Sequence, residues 1–206
     1  QTGSRHLGAA IGTQNFIHAY VAKKVAQWCT ELETLASFAT TEPQAAYSAF
    51  TFGLKGKWNF LQRTTPNTGP LFQPLEDAIN NSFLPTLTGR LLTELEREVL
   101  SLPTRNGGLG IANPAQQATS SFLESLQITQ ELTTKIQNQE WQCPSGEKIK
   151  EAKLKVVRNK RAREKEKLAR VKLRIQEETN GLTNKKLGAT LAKALECSSV
   201  KGASSW

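Results

Sequence analysis

The sequence predicts a mainly α-helical protein: a helical bundle with a short N-terminal β remnant and a long basic C-terminal helix. Apolar residues recur at spacings of three and four through most of residues 14–141, which is the pattern of helices that bury one face. The 206-residue chain is 38% hydrophobic, which is enough to build a core. Basic residues are concentrated towards its end, where the apolar pattern weakens.

The first elements are a short β segment and a long helix. Residues 1–12, "QTGSRHLGAAIG", are brief and punctuated by glycine, so they predict the end of a strand or a hairpin. Residues 14–40 predict an amphipathic helix, for which Thr13 is a suitable N-cap. The expected buried stripe of this helix is Ile17, Val21, Val25, Trp28, Leu32, Leu35 and Ala39.

Two further helices are predicted before residue 90. Pro43 favours the start of the second, because proline suits the first helical turn. Its stripe is Ala46, Phe50, Leu54, Trp58 and Leu61. A loop over 63–70 leads to the third, which we expect to end at Pro85. Its stripe is Phe72, Leu75, Ile79 and Phe83.

Local capping signals mark the next elements. Thr93 and Glu96 have the spacing of a capping box at a helix N-terminus. Residues 103–114, "PTRNGGLGIANP", predict a turn rich in glycine and proline around a short apolar piece. Asn113 and Pro114 should cap and begin the following helix. The residues expected to face inwards on that helix are Phe122 and Leu126.

Charge divides the chain into two parts. Residues 1–147 hold 10 Lys/Arg and 12 Asp/Glu, a net charge of −2, whereas residues 148–206 hold 17 and 6, a net charge of +11. Residues 148–174 predict a long, mostly solvated basic helix, or a segment that becomes ordered on binding. Its apolar positions in heptad-like register are Leu154, Val157, Leu168, Val171 and Ile175. A short amphipathic helix around Leu187, Leu191 and Leu195 should follow.

The composition disfavours several kinds of active site. Asp77 is the only aspartate, so a paired-aspartate metal centre cannot be built from this chain. The three cysteines and two histidines are too widely spaced to suggest a zinc site or a disulfide framework. The run "NGGLG" lacks the Lys-Ser/Thr of a P-loop. Binding is therefore the kind of function that the composition favours. An enzyme of another type, such as a Cys or Glu hydrolase, ranks well below the two binding hypotheses given below.

Cations indicate what would be bound. The basic segment could neutralise several phosphates, which gives affinity that depends on salt and not on sequence. In the globular part, Lys55, Lys57 and Arg63 flank Trp58, whose place on the apolar stripe favours core packing over base stacking. The alternative interpretation of the basic segment is a solvated charged helix, or a nuclear-localisation signal formed by "NKRAREK".

Several strings resemble reverse transcriptases of eukaryotic retrotransposable elements. "GSRHLGAAIG" (3–12) resembles the primer-grip segment that closes the palm of that family. Three further strings resemble its helical thumb and the linker that follows, and "KGASSW" (201–206) resembles the start of a later segment. The thumb strings are "AAYSAFTFGLKGKWNFLQRTTPN" (45–67), "LFQPLEDAINNSFLPTLTGR" (71–90) and "LSLPTRNGGLGIANP" (100–114), the last being the most specific.

The resemblance implies a domain order. It predicts a palm and primer-grip remnant over 1–12, a helical thumb-like domain over 13–141 and a basic helix or linker over 142–180. A short helix and the start of a further segment would occupy 181–206. The family's catalytic aspartates, including the Tyr-x-Asp-Asp pair, match nothing here. Because the chain also contains no Met, we expect either a processed product or a fragment of a longer protein, and we favour the fragment. Such a fragment should be inactive as a polymerase on its own.

The resemblance also implies sites and partners. Leu7 and Gly8 would lie in the primer grip, beside an RNA–DNA template–primer duplex. The other partner would be the remainder of the polymerase, its fingers and palm. No cofactor is expected in this chain, whereas the parent polymerase would use Mg²⁺. The cations that we expect to contact nucleic acid are Lys23, Lys24, Lys55, Lys57, Arg63, Arg90, Arg105, Lys160, Arg161 and Arg163.

An alternative hypothesis belongs to another class: a non-enzymatic α-helical adaptor whose basic helix binds nucleic acid or an acidic partner. The three separated cysteines favour a reducing, intracellular compartment, and the basic run is compatible with the nucleus. No apolar stretch approaches the roughly 18 residues of a membrane span, so we expect no membrane partner.

Overall fold

The structure is a computed structural model that describes residues 2–140, 142–180 and 185–199. It begins with an antiparallel hairpin in which β1 (Gly3–His6) pairs with β2 (Ala9–Gly12), and His6 faces Ala9 across a two-residue turn. Ala10 is buried, and Gly3 lies close to the ring of Phe16 on the next helix. Since a lone hairpin is marginal in water, this packing supports it.

The predicted first helix is confirmed as α1 (Gln14–Ala39), with Val21, Val25, Trp28 and Leu32 buried on one face. Thr13 is its N-cap by position, but its side chain makes no capping hydrogen bond to the helix. The Thr13 hydroxyl instead contacts the hydroxyl of Thr2 at 2.9 Å.

The second predicted helix consists of α2 (Pro43–Ala49), a π-helical turn at Phe50–Leu54 and α3 (Lys55–Thr64). After a 3₁₀ turn at Gly69–Phe72, the chain forms α4 (Gln73–Ala78), a second π turn at Ile79–Phe83 and α5 (Leu84–Thr88). Each π turn joins its two helices without a break in the chain of helical residues.

The prediction that Pro85 ends the third helix is wrong. Within the preceding π turn the Leu84 amide donates to the Ile79 carbonyl, five residues back. This wider turn shifts the hydrogen-bond register just before the proline, so Pro85 falls in the first turn of α5, where its missing N–H is tolerated. The helix ends at Gly89, whose φ of 74° is the left-handed conformation that glycine adopts most easily.

Five aromatic rings form the centre of the core around α1. Neighbouring ring centroids are 4.9–6.4 Å apart, and the closest pair is Phe50 with Phe83. The rings belong to Trp28, Phe50, Trp58, Phe72 and Phe83, all of which are buried. Trp58 therefore packs in the core, as its position on the apolar stripe predicted. Aromatic pairs of this kind contribute about 0.5–1.5 kcal/mol each beyond their buried area.

The helix after the glycine-rich turn is α7 (Pro114–Gln137), and its predicted cap is confirmed because Asn113 Oδ1 accepts from the Gln116 amide at 3.0 Å. Buried Gln62 donates from Nε2 to the Pro114 carbonyl at 2.9 Å, which fixes this end of α7 against α3. The prediction for Leu126 is wrong, since its side chain is 48% exposed. Periodicity identifies an apolar face, but it cannot say which turns of that face another helix covers.

The described residues form two compact units. The first comprises Gln1–Leu91 and Asn113–Val156, and the second comprises Leu92–Ala112 and Val157–Trp206. The domain boundaries that we expected from motifs and charge, at residues 12, 141 and 180, are of a different kind from these units and stay predictions. The string at 201–206 lies outside the described residues.

In the second unit, α6 (Glu94–Leu100) begins with the predicted capping box. Glu96 N donates to Thr93 Oγ1 at 3.3 Å, and Thr93 N donates to Glu96 Oε2 at 2.8 Å. A 3₁₀ turn at Thr104–Asn106 follows. The chain then folds back on α6, because the amides of Leu109 and Ile111 both donate to the Leu100 carbonyl.

The predicted basic helix is α8 (Gly146–Asn180), and the short helix after it is α9 (Lys185–Ser199). In the second unit the heptad-like residues Val171 and Ile175 are buried with residues of α6, of the segment just after it and of α9. Their partners are Leu95, Val99, Leu102 and Leu195, with Leu168, Leu191 and Ala192 at the edge. This part of α8 is therefore one wall of a core. Within the described residues, no helix is both long enough and apolar enough to cross a membrane.

Candidate nucleic-acid interface

The turn of the N-terminal hairpin presents the two residues expected in the primer grip. Leu7 and Gly8 both have positive φ, 48° and 90°, as in the type I′ turns that match the twist of a hairpin. The Leu7 side chain is 88% exposed. Its left-handed backbone conformation is unfavourable for a leucine. Tyr20 on α1 anchors the turn by donating from its hydroxyl to the Gly8 carbonyl at 3.2 Å.

A groove of about 320 Å³ opens beside this turn, between the hairpin, α1 and α3. Three of its lining side chains are cationic, namely Arg5, Lys24 and Lys57, and one is anionic, Glu31. The remaining lining residues are Gly8, Tyr20, Gln27, Trp28, Phe60 and Leu61. We call this surface the hairpin groove. Cations and aromatic rings together are the residue types that contact phosphates and bases in nucleic-acid-binding proteins.

Two predicted cations, Lys24 and Lys57, lie in the hairpin groove, and a hydrogen-bond network holds them. Lys57 Nζ pairs with Glu31 Oε2 at 2.6 Å. Gln27 donates to the other oxygen of Glu31 at 3.2 Å, and it accepts from Lys24 Nζ at 3.1 Å. Both lysines are therefore connected to a single carboxylate on α1.

The other predicted cations of the first unit are not among the residues that line the hairpin groove. Lys23 is exposed on α1, and Lys55 is half-buried at the start of α3. Arg63 is exposed in the last turn of α3, and Arg90 is exposed after α5, where Nη1 donates to the Leu91 carbonyl at 3.3 Å. Their contacts with nucleic acid stay predictions.

In the second unit, Lys160, Arg161 and Arg163 are exposed on α8. Arg105 belongs to the glycine-rich turn and pairs with Glu164 of α8, so a phosphate would have to compete with that carboxylate for it. The exposed cations of α8 outnumber its exposed carboxylates, so its surface is positively charged and attracts polyanions over a range set by the ionic strength.

The glycine-rich string of the resemblance has a definite structural role. A Cβ added to Gly108 would overlap the Leu102 carbonyl oxygen and would lie 2.6 Å from that of Val99. Gly107 and Gly110 have φ of 83° and 67°. The glycines thus let the loop lie directly on α6, and this packing accounts for the string without any phosphate contact.

Sequence reasoning missed several residues of the hairpin groove, chiefly Arg5, Tyr20 and Phe60. They come from three elements that are distant in sequence, so no spacing rule connects them. A weaker signal was present on α1, where Lys24, Gln27 and Glu31 follow one another at steps of three and four.

No protein-family model, curated protein or solved structure matches this chain. Within residues 2–140, 142–180 and 185–199, no three or more His, Cys, Asp or Glu side chains are grouped so that they could hold a metal ion. The expectations about cofactors, none here and Mg²⁺ in a parent polymerase, stay predictions.

Proposed function

We propose that this chain is the thumb and linker of a retroelement reverse transcriptase, and that it grips a template–primer duplex without itself polymerising. The observation that carries the proposal is the exposed Leu7–Gly8 turn beside a groove lined by Arg5, Lys24 and Lys57. An exposed apolar side chain held in unfavourable backbone geometry, next to cations, suits contact with the end of a nucleic-acid strand.

The basic helix α8 supplies the second part of the grip. A polymerase must hold duplexes of any sequence, so phosphate contacts and shape serve it better than base readout. The exposed face of α8 offers Lys160, Arg161 and Arg163 for this purpose. Catalysis would belong to aspartates of the parent protein, with Mg²⁺ bound there, because Asp77 is the only aspartate in this sequence.

The test of the α8 grip is filter binding of an RNA–DNA duplex over a salt series. The double variant K160Q/R161Q should bind more weakly and show a shallower plot of log affinity against log salt. Each lost phosphate contact lowers the slope by about 0.9. The matched control is K186Q/K193Q, which removes two exposed cations of α9. Equal slopes for the two variants would reject a phosphate role for α8.

A primer-extension assay on the same chain tests the second half of the proposal. With Mg²⁺, a primed RNA template and all four deoxynucleotides, we expect no incorporation above background. A polymerase known to extend the same primer serves as the positive control. Robust synthesis by the purified chain would overturn the assignment of catalysis to the parent protein.

One observation favours the second candidate, an α-helical adaptor. The far part of α7 exposes a row of apolar side chains that are 44–64% accessible. These residues are Leu123, Leu126, Leu132 and Ile136. An adaptor would use its basic helix for an acidic polypeptide, so polyglutamate should compete with the duplex as effectively as unlabelled RNA–DNA does. Weak competition by polyglutamate would favour the polymerase fragment.

A further inference from the structure

The hairpin groove contains an anion already. Glu31 accepts directly from Lys57 and, through Gln27, is connected to Lys24, so one carboxylate serves the two lysines that line the groove. Arg5 also lines the groove and is exposed. Three cations and one carboxylate leave an excess of positive charge, which favours a further anion or an exchange of anions.

The internal ion pair is weak enough to be exchanged. The side chain of Lys57 is 51% exposed, and that of Glu31 is 30% exposed. Ion pairs in such settings add little to stability, because water competes for both charges. A phosphate group offers more acceptor oxygens than a carboxylate, so it can take over the ammonium group of Lys57 with little loss to the fold.

The groove also offers a ring. Phe60 is 45% exposed, and Gly8 of the hairpin turn lies against it, so that a Cβ added to Gly8 would be 3.2 Å from the ring. A half-exposed phenyl group beside cations is the pattern of a platform on which a nucleic-acid base stacks. The volume of about 320 Å³ is at the small end of ligand pockets and is far too small for a duplex.

We propose that the hairpin groove binds one unpaired nucleotide of a nucleic-acid strand. Its base stacks on Phe60, and its phosphate takes the place of the Glu31 carboxylate at Lys57 and of the Gln27 side-chain oxygen at Lys24. The inference rests on the proposed function and adds that the hairpin groove binds an unpaired nucleotide. Glu31 competes with the phosphate of that nucleotide for Lys57 and so limits the affinity.

The first test is fluorescence anisotropy with a labelled single-stranded oligothymidylate and with a blunt RNA–DNA duplex. Phe60→Ala should weaken single-strand binding by about 5- to 150-fold, which is the range for loss of one base–aromatic stack. The duplex affinity should change by less than twofold. The matched control is Phe52→Ala, which removes an 88% exposed phenylalanine that does not line the groove.

The second test removes the competing carboxylate of Glu31. This residue is not part of the hydrophobic core, so its substitution should leave the fold intact. Glu31→Gln should raise single-strand affinity severalfold, and its plot of log affinity against log salt should be steeper. Glu33→Gln makes the same change of charge at an exposed position of α1 outside the groove, so it controls for net charge. Equal effects of the two substitutions, or equal effects of Phe60→Ala and Phe52→Ala, would overturn the inference.

The two proposals fail in different ways. If the wild-type chain binds the duplex through α8 but Phe60→Ala and Glu31→Gln behave as their controls do, the nucleotide site alone is rejected. If the wild-type chain binds neither nucleic acid, the proposed function fails and the nucleotide site fails with it.

Discussion

Arg97 donates a hydrogen bond from Nη1 to the carbonyl oxygen of Ile111 at 2.7 Å. This bond ties the middle of α6 to the far end of the glycine-rich loop, and the arginine that makes it is only 8% exposed. Since Ile111 is itself buried, the loop is closed on the helix by a charged group that water barely reaches. Hydrogen bonds from charged donors in such places contribute more than neutral ones.

We therefore expect Arg97→Met, which keeps much of the side-chain volume, to loosen the loop. The lost bond corresponds to about 1.5–3 kcal/mol, or roughly 10- to 150-fold in a local opening equilibrium. Hydrogen exchange should show this at the amides of Leu109 and Ile111, which bond to the Leu100 carbonyl. Arg170→Gln, at an exposed site of α8, is the control. Unchanged protection in Arg97→Met would show that the bond does not hold the loop.

Two glycines should respond in opposite directions to alanine. At Gly108 the added methyl group meets backbone carbonyl oxygens of Leu102 and Val99, which cannot move without disturbing α6. Gly108→Ala should lower stability by about 1–3 kcal/mol or more. Gly56 lies inside α3 with nothing within 4 Å of its added Cβ, so Gly56→Ala should raise stability by up to about 1 kcal/mol. Thermal unfolding followed by circular dichroism distinguishes the two, and a shift in the same direction would contradict this packing.

The two threonine N-caps provide a matched pair. Thr93 makes both bonds of a capping box, whereas Thr13 makes no side-chain bond to its own helix. Thr93→Ala should therefore lower the free energy of unfolding by about 1 kcal/mol. Thr13→Ala should have a smaller effect, because only the contact with Thr2 is lost. Denaturation in urea measures both, and equal losses would mean that the capping box adds nothing.

Sequence reasoning succeeded where the signal was local. The caps at Thr93 and Asn113 follow from spacing along one segment, so they could be predicted and are confirmed. The stripe of α1 is confirmed at five of its seven positions, whereas Ile17 and Leu35 are only half-buried. Pro85 was misjudged, because the π turn before it is a property of the packed helix and not of proline itself. Leu126 was misjudged because burial depends on what lies opposite.

The candidate site was harder to predict than the fold. Lys24 and Lys57 could be named as cations, but the sequence gives no reason why they share Glu31, since α1 and α3 are brought together only by the bundle. Phe60 is adjacent in sequence to the core stripe, and its exposure depends on how α3 is rotated against α1. Tertiary packing, which periodicity does not encode, decides these features.

The cysteines should differ in reactivity. Burial raises the pKa of the Cys29 thiol, and the carboxylates of Glu33 and Asp77 raise it further, so the reactive thiolate is disfavoured. Cys143 and Cys197 are exposed. With iodoacetamide at pH 8, mass spectrometry should find both exposed thiols alkylated before Cys29. Early alkylation of Cys29 would contradict its burial.

The same pKa shift has a consequence for stability. In the unfolded chain the Cys29 thiol has the ordinary pKa of a cysteine, whereas burial in the folded chain raises that pKa, so the folded chain keeps the proton to higher pH. The protonated thiol therefore contributes fully to the free energy of unfolding when the pH is below the pKa of Cys29 in the unfolded chain. This contribution is lost as the pH rises through the pKa of Cys29 in the folded chain. Unfolding in urea at pH 8 and at pH 10 should show that the free energy of unfolding falls less between these two pH values in Cys29→Ala than in the wild type. An identical loss in both would show that this thiol does not contribute.

The turn residue Leu7 allows stability and binding to be separated. Its φ of 48° is unfavourable for leucine by about 1 kcal/mol, whereas asparagine tolerates it, and Asn-Gly is the preferred pair for a type I′ turn. Leu7→Asn should therefore leave stability unchanged or raise it by up to about 1 kcal/mol. If the exposed side chain contacts a primer strand, the same change should weaken duplex binding severalfold. The control is Ile11→Thr, which shortens another exposed apolar side chain of the hairpin. Filter binding and thermal unfolding are measured on both variants. A more stable Leu7→Asn protein with wild-type affinity would mean that Leu7 has no part in the grip.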